Sequence, residues 1–254
     1  MNLEEIARCL DCSLIDETNS KNISVDLSDL TIDSRKVQPG SLFVALRGER
    51  FDGHDFISDV ATKGALAVIC EKPCPSVHLP QLVVPSSVDA LAKIALLHRQ
   101  RITCPVIALT GSNGKTTVKE MIHCILPKPA HATPGNLNNH IGVPLSIMQF
   151  NDQHRYAVFE LGANHLNEIA YTVALVKPQV TLINNIAPAH IAGFGSIDGV
   201  ARAKGEIYQG LIAGGTAVIN DDDDYAHFWD DLLTDKKVLR FSLRHPTDVY
   251  AKNI

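Results

Sequence analysis

Apolar residues recur at Leu3, Ile6, Ala7 and Leu10, the spacing of a helix with one buried face. Short apolar runs over 41–46, 66–69 and 81–84 follow and predict strands. Between the first two of these, Phe56, Ile57, Val60 and Ala61 share one face of a helix predicted over 55–63. Gly64 stands where a C-terminal cap belongs. Pro73, Pro75 and Pro80 then break the chain, and a second helix is predicted from an N-cap at Ser86 to Arg101. Past that helix the pattern changes. Residues 106–109, 157–161, 180–183 and 217–219 are brief apolar runs with helix-like segments between them, the pattern of a parallel sheet with crossovers.

The clearest chemistry follows the strand at 106–109. Thr110, Gly111, Ser112, Asn113, Gly114, Lys115, Thr116 and Thr117 leave that strand and open a helix with apolar positions Val118, Met121, Ile122 and Ile125. Glycines let backbone N–H groups curl round phosphate oxygens, and the helix N-terminus adds its positive end. Lys115 supplies a charge for β/γ-phosphates, and the Thr116 hydroxyl suits Mg²⁺. Leu109 occupies the place where the common eight-residue loop has glycine, so this is a variant form. The reading is an ATP or GTP site. The fold class is α/β: a small mixed N-terminal domain over 1–84, then a P-loop-type parallel-sheet ATPase domain over 85–254.

Composition narrows the partners. Lys and Arg number 23 against 28 Asp and Glu, a net charge of −5, which argues against a nucleic-acid binder. The N-terminus lacks a basic, then apolar, signal-peptide pattern, and no apolar run is long enough to span a bilayer. A cytoplasmic chain with reduced thiols is therefore expected. Cys9 and Cys12 form a CxxC on the first helix, with no well-spaced second pair to complete a zinc site. The run Asp221–Asp224 reads as a solvated turn rather than a metal cluster.

The Gly-x-x-Gly-Lys-Thr-Thr loop resembles that of the Mur ligases, ATP-dependent amide-bond-forming enzymes of peptidoglycan precursor synthesis. The resemblance extends over 133–144 (TPGNLNNHIGVP), 160–165 (ELGANH), 184–190 (NNIAPAH), 193–196 (GFGS) and 203–207 (AKGEI), and over 33–35 and 40–48. It implies ATP and Mg²⁺ as cofactors, with UDP-N-acetylmuramoyl-tripeptide and D-alanyl-D-alanine as substrates, and a monomer. It further implies an acyl phosphate formed on the tripeptide carboxylate and attacked by the dipeptide amine.

The same resemblance assigns roles by position. Glu160 and His190 are implied as metal-associated residues. Lys204, in an Ala-Lys-x-x-Ile setting, is implied to become a carbamate and serve a second Mg²⁺. Asn184 and Asn185 are expected near the nucleotide, and Ser34 and Arg35 on the uridine nucleotide. Asn136, Asn138, Asn139, Asn164 and His165 are expected on the substrate side. From the residues alone, a glutamate ending an apolar strand reads as a site, because a parallel sheet presents strand ends to a ligand crevice. A surface ion pair is the competing reading for Arg35. The family carries a third, C-terminal domain, so residues 1–254 are expected to be a fragment that is inactive alone. Two alternatives stay open: another ligase of the superfamily, either the third-residue-adding enzyme or a folylpolyglutamate synthetase, and a non-catalytic nucleotide-binding module.

Overall fold

A computed structural model describes residues 1–15, 22–189 and 191–252. The chain forms two compact units, Met1–Arg101 with Ile147–Gln149, and Ile102–Ser146 with Phe150–Ile254. In the first unit, α1 (Leu3–Leu10) starts at a capping box: Glu5 N donates to Asn2 Oδ1 at 2.8 Å and Asn2 N to Glu5 Oε2 at 3.0 Å. Leu3, Ile6 and Leu10 are buried, as their spacing predicted. The remaining elements are β1 (Ser13–Ile15), β2 (Leu42–Val44), α2 (Ile57–Thr62), β3 (Ala67–Cys70), β4 (Gln81–Val83) and α3 (Ser87–Arg99). Their sheet has the order β1-β4-β3-β2, with β1 antiparallel and the rest parallel.

Strands β2 and β3 are buried throughout, which is why they read as continuous apolar runs. Phe43, Ala45, Ile57, Val60, Val68 and Cys70 form the core beneath α2. That helix is preceded by a 3₁₀ turn over Gly53–Phe56, and Gly64 ends it with φ +83°, where a side chain would be strained. The cap on α3 is the predicted one, with Asp89 N donating to Ser86 Oγ at 3.2 Å. This helix packs within the first unit, although the sequence pattern grouped it with the second segment.

The second unit holds β5 (Val106–Thr110), α4 (Lys115–Ile125), β6 (Ala130–Ala132), α5 (Gly142–Met148) as far as Ser146, β7 (Tyr156–Glu160), α6 (Glu168–Val176) and β8 (Val180–Ile183). It continues with α7 (Ile191–Phe194), α8 (Ile197–Gly205), β9 (Thr216–Asn220), β10 (Lys237–Ser242) and β11 (Val249–Tyr250). All seven strands are parallel, in the order β11-β10-β9-β8-β5-β7-β6. The α/β class with a mixed sheet followed by a parallel one is thus as expected. The connection from β5 runs to β6 on one side of it and the connection from β7 runs to β8 on the other, so the C-terminal ends of β5 and β7 lie at a topological switch point, where such sheets bind ligands.

Two details differ from expectation or refine it. On α4, Met121 and Ile125 are exposed, and the side chain turned inward is Lys119, at 1% relative exposure. Three of the four aspartates in the acidic turn after β9 are bonded. Asp221 pairs with Arg240 and His245, Asp222 accepts from Ser242 Oγ and Leu243 N, and Asp223 accepts from Ile186 N and Tyr225 N. Among the described residues, no helix is long and apolar enough to cross a membrane.

Candidate functional site

The loop after β5 curls round a cleft of about 390 Å³ lined by Ser112, Asn113, Gly114, Lys115, Thr116, Thr117, Asn138 and Glu160. Two glycines make the curl possible. Gly114 sits at φ +71° directly before α4, and a Cβ on Gly111 would lie 2.9 Å from the Asn184 Cβ. Lys115 Nζ donates to Gly111 O at 2.9 Å, so the ammonium lies over the loop. Thr110 is fully buried at the end of β5.

The loop is braced from β8. Asn184 Nδ2 and Asn185 Nδ2 both donate to Asn113 O, at 2.7 and 3.1 Å, while Asn113 N donates to Asn185 Oδ1 at 2.9 Å. Ser112 Oγ donates to Ala187 O and accepts from Ala187 N. Asn184 and Asn185 therefore stand beside the phosphate loop, with their amides on its backbone. This pre-sets the loop conformation before any ligand arrives.

Opposite Lys115, register places Glu160 level with Leu109 across β5 and β7. Its carboxylate is buried at 2% exposure and accepts from Thr116 Oγ1 and from Asn138 Nδ2, both at 2.9 Å. No cationic side chain pairs with it among the described residues. A buried carboxylate without a counter-charge is costly unless a cation joins it. The donor set of one hydroxyl and one carboxylate is all oxygen, and so fits a hard ion such as Mg²⁺.

Lys204 lies in the last turn of α8, buried at 2% exposure, and no hydrogen bond or ion pair reaches its ammonium among the described residues. Burial, and then the nearby Lys115 charge, pull its pKa down to about 8. Helix α8 is held by Trp229, whose Nε1 donates to Ala201 O at 3.0 Å; a Cβ on Gly205 would come within 2.5 Å of that nitrogen. His190 lies outside the described residues.

The other expected residues divide. Asn138 reaches Glu160, whereas Asn139 Oδ1 accepts from Ile141 N and Gly142 N at the start of α5. Asn136 is exposed in the turn before them, its carbonyl accepting from Asn138 N. Asn164 N and His165 Nδ1 both meet the Glu168 carboxylate, at 2.7 and 3.2 Å, on an exposed loop.

In the first unit, a separate cavity of about 450 Å³ is lined by Ile32, Asp33, Ser34, Arg35, Phe43, Leu46, Phe51, Gly53 and Phe56. Arg35 holds Asp33 bidentately, Nε to Oδ1 and NH2 to Oδ2, both at 2.8 Å. That pairing holds the Asp33 carboxyl down at about 2. Phe51 and Phe56 are both exposed; the sequence pattern left Phe51 unmarked and placed Phe56 on the apolar face of the helix predicted over 55–63, whereas it lines this cavity. An aromatic wall beside a planar cation suits a base joined to phosphates.

Comparison with known proteins covers both units. The Mur ligase middle domain model matches residues 109–254, and the Mur ligase family catalytic domain model matches residues 26–99. The UDP-N-acetylmuramoyl-tripeptide--D-alanyl-D-alanine ligase of Haemophilus influenzae is 43% identical, over 98% of this chain and 54% of that protein. A crystal structure of MurF from Acinetobacter baumannii, 37% identical, superposes with a TM-score of 0.90 over 100% of this chain and 55% of its own. MurF ligase from Thermotoga maritima in complex with ADP is 32% identical, with a TM-score of 0.78, over 87% of this chain and 52% of its own. The chain spans about half the length of these relatives. With models matching in each unit, the chain belongs to the Mur ligase family.

Proposed function

We propose that residues 1–254 carry the nucleotide site and the UDP-substrate site of an ATP-dependent ligase that joins D-alanyl-D-alanine to UDP-N-acetylmuramoyl-tripeptide. The observation that carries this reading is the Thr116–Glu160–Asn138 cluster facing Lys115 across the phosphate-loop cleft. The relatives named for that reaction support the choice of substrates.

In this reading the tripeptide carboxylate attacks the γ-phosphorus of ATP, and ADP leaves. The dipeptide amine then attacks the acyl carbon, and phosphate leaves. Backbone N–H groups of Gly114–Thr116 and the Lys115 ammonium bind phosphate oxygens and offset the charge that develops. Thr116 and Glu160 would hold Mg²⁺, with His190 as a further metal-associated residue and a modified Lys204 serving a second ion. Bound Mg²⁺ would supply positive charge that offsets that of the phosphates. Arg35 would turn from Asp33 toward a diphosphate, and Ser34 would sit beside it.

The environment of Lys204 favours its modification. With a pKa of about 8, about a quarter of its amine is neutral at pH 7.5, against about one part in a thousand for an exposed lysine. The neutral amine adds CO₂, forms an N–C bond and releases a proton. The carbamate so formed is an anion suited to a second metal ion, where the ammonium would repel it.

Calorimetry on this chain tests the whole reading. UDP-N-acetylmuramoyl-tripeptide and Mg²⁺–ATP should each bind, and UDP should compete with only the first. Folate binding without uridine nucleotide binding would move the assignment to a folylpolyglutamate synthetase-like ligase.

A further inference from the structure

Lys119 is among the largest fully buried side chains of the molecule, yet the functional reading above gives it no role. Its ammonium donates to Thr133 O at 2.8 Å and pairs with Glu120 Oε1 at 2.8 Å. Holding a charge inside is unfavourable compared with a packed apolar side chain of similar size. On α4 the apolar side chains Met121 and Ile125 face solvent while the charged one faces in, so simple core packing does not account for the arrangement.

What Lys119 touches suggests its purpose. Thr133 lies just past β6, and its hydroxyl accepts from Glu160 N at 2.9 Å. Glu160 Oε2 in turn accepts from Thr116 Oγ1, one helical turn before Lys119 on α4. The bonds close a circuit: Thr116 to Glu160, Glu160 to Thr133, Thr133 to Lys119, and back along α4. The circuit couples the axial position and rotation of α4 to the end of β7. It thereby sets the separation of the Thr116 hydroxyl from the Glu160 carboxylate.

We propose that Lys119, acting through Thr133, is a positioning residue that holds Thr116 and Glu160 at the spacing a divalent cation requires. The proposal rests on the reading of those two residues as metal ligands. It differs from a stability role because phosphate binding by the loop backbone does not pass through the circuit, whereas cation binding does. Residues of this kind stand behind the ligands and tune them.

The test uses this chain, with ATP titrated calorimetrically in Mg²⁺ and again in EDTA. The readout is the Mg²⁺ enhancement of affinity. Lys119→Met should reduce that enhancement about tenfold while leaving the EDTA affinity unchanged, the size typical for groups behind metal ligands. Thr133→Val should do the same, Thr133→Ser should retain the enhancement, and Glu160→Gln should abolish it. Should Lys119→Met fail to fold, the Thr133 pair decides the matter alone. Equal losses with and without Mg²⁺ would make Lys119 merely structural and overturn the proposal. So would full enhancement in Lys119→Met and Thr133→Val beside its loss in Glu160→Gln. Retained enhancement in Glu160→Gln would instead overturn the metal-site reading on which the proposal stands.

Discussion

Replacing Lys204 with methionine should stabilise the protein. Methionine keeps the stem of a residue that is 2% exposed and removes an ammonium that meets no hydrogen-bond or ionic partner among the described residues. In the folded chain the pKa of Lys204 is about 8, against 10.5 for the free side chain. Between these values the unfolded chain binds more protons than the folded one, so stability rises with pH from 8 to 10.5. Below pH 8 the full penalty applies. At about 1.4 kcal/mol per pKa unit, a depression of this size corresponds to about 3 kcal/mol at pH 7. Lys204→Met should therefore gain up to about 3 kcal/mol at pH 7 and almost nothing near pH 10.5. Urea unfolding in CO₂-free buffer measures this directly. Trp229, the sole tryptophan, packs on the helix that carries Lys204 and reports the unfolding of that unit. A destabilised variant at pH 7, or a gain independent of pH, would refute the argument.

Three further outcomes are expected. Lys115→Ala should weaken ATP binding by about 10- to 100-fold, the worth of a charged hydrogen bond, with an unchanged circular dichroism spectrum. His131 is buried against Phe150 and Phe159, and burial holds its pKa down to about 3 against 6.5 unfolded. Stability that is full above pH 6.5 should then fall by about 1.4 kcal/mol per unit below it, and His131→Leu should flatten that slope in acid unfolding curves. Arg35→Ala should weaken UDP binding, leave ATP binding alone and change the melting temperature little, since an exposed ion pair is worth about 0–1 kcal/mol.

The sequence alone was enough to locate the loop that joins β5 to α4, because backbone curvature there demands glycine at positions 111 and 114. It also marked the inner strands β3, β5, β7 and β8, since strands covered by helices on both faces must be apolar at nearly every position. Helix caps such as Ser86 were legible for a similar local reason: the hydroxyl serves an amide three residues away. The short strand β6 left no such trace. Its Ala130-His131-Ala132 run has too little apolar character to be distinguished from a loop, and β7 pairs with it only through the fold. Strands β1, β10 and β11 were missed as well.

Which face of α4 is buried was decided by tertiary structure. Periodicity pointed to Met121 and Ile125, yet an ammonium with a carbonyl waiting at Thr133 turns inward instead. The partners of Glu160 come from residues 116, 133 and 138, brought together by strand register and loop closure over distances that no local pattern records. The depressed pKa of Lys204 likewise has no local signal, because burial and the charge of Lys115 both come from the folded sheet. Local chemistry names the reactive groups; their protonation, spacing and partners depend on which surfaces the fold removes from water.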